Sequence, residues 1–337
     1  MEHAPKQQLP QEQTAPVHEA DPFEYTLLTG HARSDGSWKS TEDLQREYVR
    51  LTDDLVYKMT HGVEVTNKET GETEFKKPDY VVWLDKSARP LSWLTRDLWD
   101  TLAAEPDGSV PEMPQMRFVN IDREQWISTV DPTGSGRTDV GGVHQDIIRS
   151  LRSVFLTQKP NMPEDLSDSR IDTMDSQFDD KTVLIVDEVR STGRTLAIAH
   201  NFFERAFPKA QIATAHWMGG MAMKGGATGN ADLPVWYRAD TVLGRGVSDR
   251  DTAISGKSTN RTQRLGQWFL STRLRQNDSS STQLRDELHH LAADVRAHKV
   301  LVVPSSERDI DDMIERAERL NDMTLDEYRA ARHTTEH

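Results

Sequence analysis

The sequence predicts an α/β protein built on a parallel sheet flanked by helices, and three features carry that prediction. Tyr80-Val81-Val82-Trp83-Leu84 and Val183-Leu184-Ile185-Val186 are apolar runs with no polar interruption, the pattern of strands buried on both faces of a parallel sheet. Each is followed by helical spacing, with Leu94, Leu98 and Leu102 after the first and Leu196, Ile198, Phe202 and Phe203 after the second. A further strand is expected at Ala210–Trp217, so strand and helix alternate as a parallel sheet requires.

Composition narrows the function classes. A net charge of −14 over 337 residues excludes an extended nucleic acid as the main partner, since phosphate backbones need a basic face, but leaves room for a local pocket for a small phosphorylated ligand. The absence of cysteine removes disulfides, thiolate metal sites and thiol nucleophiles. No run approaches the ~18 apolar residues of a membrane span. The first thirty residues have neither a basic start nor an apolar core, so a soluble, cytoplasmic protein with no membrane partner is expected.

In chain order, residues 1–22 are rich in Gln, Pro, Glu and Ala and predict a disordered tail. Phe23–Leu28 suggests a short strand. Ser40-Thr41-Glu42-Asp43 has the chemistry of a helix start, and Leu44, Tyr48, Leu51, Leu55 and Met59 follow at helical spacing. Val63–Thr66 and Thr73–Phe75 flank a polar turn and read as a polar hairpin appended to the core. Asp79–Leu84 leads into Asp85-Lys86-Ser87-Ala88-Arg89-Pro90 and a helix from Leu91 to Ala103, and Met116–Ile121 makes the next strand. Ser128–Gly142 is a Gly/Ser/Thr/Asp loop, a length at which lids and plain disorder compete. A helix is expected over Val143–Leu156, then an exposed acidic connector over 157–180.

The most informative stretch is Lys181–Ala199, KTVLIVDEVRSTGRTLAIA. Two carboxylates, Asp187 and Glu188, end the apolar run; inside a core they would be costly, so they belong at the open carboxyl edge, where α/β proteins bind ligands. Thr192 and Gly193 allow a tight turn that aims N–H groups at one point before a helix whose N-terminus favours anions. Carboxylates for hydroxyls or a metal, then a phosphate cradle, describe a sugar-phosphate site. The bland alternative is an ordinary strand-to-helix turn with surface acids.

This order and spacing resembles the signature of the type I phosphoribosyltransferases. The resemblance implies that Asp187 and Glu188 hold the ribose hydroxyls of phosphoribosyl pyrophosphate, directly or through Mg²⁺. It implies that Arg190, Ser191, Thr192, Gly193, Arg194 and Thr195 surround the 5′-phosphate, and that Lys86, Ser87, Ala88 and Arg89 bind the pyrophosphate. It also implies a mobile loop bearing Arg137, and an acceptor pocket near Trp236 and Val242. Asp249 would be a second metal ligand, one position later than in the family pattern. Members of the family are usually dimers, so the resemblance allows a homodimer while the residues themselves leave the oligomeric state open.

The chain departs from the purine-salvage members in two places: Ser191 stands where they carry an acid, and Thr241 where they carry a ring-stacking aromatic. The acceptor is therefore a nitrogenous base of unassigned identity, and a non-catalytic sensor of phosphoribosyl pyrophosphate or a nucleotide is the alternative. A nucleotide-hydrolase reading fails, because the lone Gly256-Lys257-Ser258 has Asp251 where the first glycine of a phosphate loop belongs. There is no HExxH, and His289-His290 reads as a surface pair. The expected phosphoribosyltransferase-like domain spans 23–275 with its core at about 79–250. A helix at 260–274 lies within it, Ser279–Ser281 is a linker, and 282–332 forms a small α/β extension.

Overall fold

A computed structural model describes residues 23–219, apart from 33–37, 69, 85–87, 106–107, 122–125, 127–129, 132, 134, 137, 159–164, 166 and 191–192, together with 279–297. The expected tail at 1–22, the helix at 260–274, Trp236, Val242, Asp249, Lys86, Ser87, Arg137, Ser191 and Thr192 lie outside the described residues, as does the extension beyond 297.

The centre is a four-stranded, all-parallel sheet. Its strands are β5 (Tyr80–Leu84), β6 (Gln115–Val119), β7 (Thr182–Arg190) and β8 (Gln211–Gly219), in the order β6-β5-β7-β8. Side chains alternate across each strand, and both faces are covered. Val81, Trp83, Leu184, Val186, Ala213, Ala215 and Trp217 face one apolar layer. Tyr80, Val82, Leu84, Val183, Ile185 and Ile212 face another. That is why these strands lack the alternation of a half-exposed sheet.

The first layer contains α1 (Thr41–His61), α2 (Arg89–Leu102) and α6 (Ser279–Arg296). The second contains α3 (Gln145–Val154) and α5 (Arg194–Ala206). Helix α2 links β5 to β6 in one direction across the sheet, and α5 links β7 to β8 in the other. Right-handed crossovers then put the two helices on opposite faces, and the chain reverses direction between β5 and β7. In open α/β sheets that reversal is where ligands bind, beyond the strands' carboxyl ends.

Several elements form as their residues dictate. Ser40 caps α1, its Oγ accepting from the Asp43 N–H at 3.1 Å, and Pro90 sits in the first turn of α2, where its missing N–H does no harm. Other expectations are corrected. The hairpin of β3 (Val63–Thr66) and β4 (Thr73–Lys76) is no polar appendage, because Val63 and Val65 are buried in the first layer. The connector 157–180 contains a short helix, α4 (Arg170–Thr173), and buries Ile171 and Phe178 fully.

Phe23–Leu28 is not a strand. The N–H groups of Thr26, Leu27 and Leu28 all donate to the carboxylate of Glu287 on α6, at 2.7–3.0 Å. Two-residue strands β1 (His31–Ala32) and β2 (Trp38–Lys39) pair instead. Ser279–Ser281, expected as a linker, forms the first turn of α6. The histidines of α6 are not a free surface pair: His289 contacts Asp97, and the His290 ring stacks on Phe23 with centroids 3.9 Å apart. Among the described residues no helix is long and apolar enough to cross a membrane.

Candidate functional site

The site is built where β7 outruns β5. Their pairing ends at Trp83 and Val186, while β7 continues through Asp187, Glu188, Val189 and Arg190 against β8, with Asp187 opposite His216 and Arg190 opposite Gly219. The acidic pair therefore lies within the strand rather than after it, past the end of the β5–β7 pairing at the sheet's point of reversal.

Both acids are more enclosed than an open edge implies: Asp187 is 7% exposed and Glu188 3%. Burial pushes the Asp187 carboxyl above its usual range, since desolvation disfavours the charged form. The Glu188 side chain and its N–H, which donates to Asp187 Oδ1 at 3.0 Å, oppose that rise. Two adjacent carboxyls out of water are costly to ionise together, and groups that hydrogen-bond or neutralise them lower that cost.

After the strand the chain turns at Gly193, whose φ of 71° and ψ of 5° lie in the left-handed region that glycine enters without strain. Gly193 caps α5 with no side chain, and the helix has no acid in its first turn. The positive end of the helix dipole is thus left uncompensated from within the helix, and the half-buried Thr195 stands in that first turn. No family model, curated protein or solved structure matches the chain.

The neighbouring strand end contributes differently from the sequence-based expectation. Ala88 is fully buried, and its N–H donates to the Leu84 carbonyl at 3.2 Å. An amide from Ala88 for a pyrophosphate would require that bond to open. The Arg89 guanidinium lies over the Phe118 ring of β6, 4.7 Å from its centroid, on the side of β5 away from β7. The backbone of Arg190 is held in the ladder with β8.

Arg194, the first residue of α5, is paired with Asp131, a buried carboxylate in the loop after β6. Asp131 also accepts from the Ser135 N–H and hydroxyl (2.9 and 2.7 Å), the Thr133 hydroxyl (3.3 Å) and the Gly136 N–H (3.1 Å). Led by the Ser135 hydroxyl, with the Ser135 and Gly136 N–H groups and Arg194, these contacts push the Asp131 carboxyl down to about 2. Sequence reasoning singled out Arg137 in this loop and passed over Asp131. The available signal was an Asp followed by Thr, Ser and Gly in Asp131-Pro132-Thr133-Gly134-Ser135-Gly136, the composition of a loop wrapped around a carboxylate. His216 was also missed, because only the strand register reveals that it stands beside Asp187.

Proposed function

We propose that the protein is a phosphoribosyltransferase of the type I fold. It binds phosphoribosyl pyrophosphate with Mg²⁺ and transfers the phosphoribosyl group to a small nitrogenous acceptor, releasing pyrophosphate. One observation carries the reading: a buried acidic pair, Asp187 and Glu188, near the end of β7 past its pairing with β5, precedes a left-handed glycine turn into a helix with no side-chain cap, at the sheet's reversal. Acids for hydroxyls and a turn for a phosphate are the two halves of a ribose-phosphate site.

In the reaction the acceptor nitrogen bonds to the anomeric carbon as the bond from that carbon to the pyrophosphate oxygen breaks, and the nitrogen sheds its proton. Asp187 and Glu188 would orient the ribose hydroxyls, and the first turn of α5 would hold the 5′-phosphate. The described residues contain no group of three or more acidic or histidine side chains able to hold a metal on their own. Two adjacent carboxylates suit a hard cation that arrives with a diphosphate. Mg²⁺ would supply charge neutralisation for the leaving pyrophosphate.

The test is incubation with phosphoribosyl pyrophosphate, Mg²⁺ and a panel of purine and pyrimidine bases, following pyrophosphate. Release with one base is the expected result. Saturable binding without release for any base would instead assign a sensor of the same ligand, a reading favoured by Ser191 in place of an acid. The double variant Asp187→Asn, Glu188→Gln is expected to lose ligand-induced thermal stabilisation. Stabilisation that survives it means the pair does not meet the ligand.

A further inference from the structure

We propose that Asp131 is a positioning residue: it withdraws Arg194 from the set of direct phosphate ligands and ties the segment 131–143 to the turn that begins α5. The functional half of this statement rests on the reading of that turn as a phosphate cradle, while the tether stands on contacts alone. Arg194 immediately follows Gly193, so the sequence invites it into the phosphate site. Its guanidinium instead meets Asp131 Oδ2, in a pair that leaves the Asp131 side chain 1% and the Arg194 side chain 17% exposed.

The pair is part of a longer seam. Farther along α5, Asn201 Nδ2 donates to the Thr138 carbonyl at 3.0 Å. Arg205 donates through Nη1 to the Val140 carbonyl and through Nη2 to Gln145 Oε1, the latter at 3.1 Å. Arg194, Asn201 and Arg205 are spaced by seven and four residues, which puts them on one face of the helix. That face carries the described residues of the loop along its length, from the anion-binding end to the start of α3.

Charge balance supports the assignment. A guanidinium in the first turn of a helix opposes the dipole, and α5 has no acid of its own there. Asp131 supplies the missing negative charge from another part of the chain. The pair is then close to neutral, and the attraction for a phosphate comes from the helix end and the turn. Movement of the turn around a ligand is passed directly to Asp131, and through its four other hydrogen bonds to Thr133, Ser135 and Gly136.

The test compares Asp131→Asn, Arg194→Gln and their double variant by amide hydrogen exchange in the ligand-free protein. It also measures the affinity of each for phosphoribosyl pyrophosphate with Mg²⁺. Each single variant is expected to speed exchange at Ser135, Gly136 and 138–143 by about tenfold or more, the scale of a charge-assisted hydrogen bond. The double variant should do no more than either single one. Both should weaken ligand binding by the same factor.

Exchange unaltered by Arg194→Gln would overturn the tether. Tighter binding in Asp131→Asn together with weaker binding in Arg194→Gln would make Arg194 a direct phosphate ligand and overturn the positioning role. Should Arg194→Gln fail to fold, Arg194→Lys keeps the charge, loses the planar fork and decides the exchange comparison. A wild-type protein that ignores phosphoribosyl pyrophosphate would refute the functional reading, and the exchange experiment would still decide the tether.

Discussion

Replacing Glu287 by Gln is the most exacting check on the described architecture. Glu287 is 1% exposed, and its carboxylate receives three consecutive main-chain N–H groups and a hydroxyl. Oε1 accepts from Thr26 N, Leu27 N and Thr26 Oγ1 at 3.0, 3.0 and 2.9 Å, and Oε2 accepts from Leu27 N at 2.9 Å and Leu28 N at 2.7 Å. Glutamine keeps one acceptor oxygen and turns an NH₂ toward at least one of these donors. Hydrogen bonds to a charged group contribute about 1.5–3 kcal/mol and neutral ones about 0.5–1.5 kcal/mol. Weakening two or three of them and orphaning one donor therefore sums to about 2–4 kcal/mol. For a fold of this size that corresponds to a fall in Tm of roughly 5–15 °C. Calorimetry or circular dichroism at pH 7 reads it directly. A comparison variant, Asp294→Asn, weakens the hydrogen bond from Tyr25 Oη (3.0 Å) and the contact with His290 (3.7 Å) without orphaning a run of main-chain N–H groups, and is expected to shift Tm by less than Glu287→Gln does. A Glu287→Gln protein that melts within about one degree of wild type would refute the view that this carboxylate fastens residues 26–28 to α6.

Three further outcomes follow from the site. Gly193→Ala forces a side chain into a backbone with φ of 71°, costing about 1–2 kcal/mol and weakening anion binding, both visible in a thermal-shift titration. Asp187→Asn removes a carboxyl whose pKa burial raises. A raised acid costs stability only as pH climbs above the ordinary carboxylate range, so the variant should melt higher than wild type at pH 7, with the gain shrinking toward pH 4. Asp131 behaves oppositely. Its carboxyl, held down to about 2, contributes stability present above the unfolded value and lost as pH falls through the folded one. Asp131→Asn should therefore be less stable than wild type at neutral pH, and the gap should close between about pH 4 and pH 2.

The sheet was legible because its strands are buried on both faces and write that burial as unbroken runs such as Val183–Val186. Gly193 was legible as a turn because few residue types enter the left-handed region without strain, and the acidic pair stood out because carboxylates interrupt an otherwise apolar strand. What the sequence concealed depends on contacts between distant segments. The hairpin looked polar until the first layer covered Val63 and Val65. Phe23–Leu28 looked like a strand until Glu287, some 260 positions away, took its N–H groups. The pairing of Arg194 with Asp131 was hidden because nothing local to Arg194 announces a partner 63 positions away. Side chains spent on closing the fold and side chains spent on a ligand are written in the same residues.

The joining of the amino-terminal segment to α6 also bears on how the chain matures. Tyr25 meets Asp294 across a separation of 269 residues, and Leu284, Leu288, Leu291, Ala292 and Val295 complete the same apolar layer as Trp93, Leu94 and Leu98 of α2. During synthesis at about 5–20 residues per second, α2 waits tens of seconds, its apolar face uncovered, before α6 is made. In that interval the growing polypeptide carries a sticky surface, and any chaperone that attends it would be expected to hold the α2 side and to let go when α6 docks. A ribosome stalled before residue 279 would leave the α6-facing part of that surface uncovered for as long as the stall lasts.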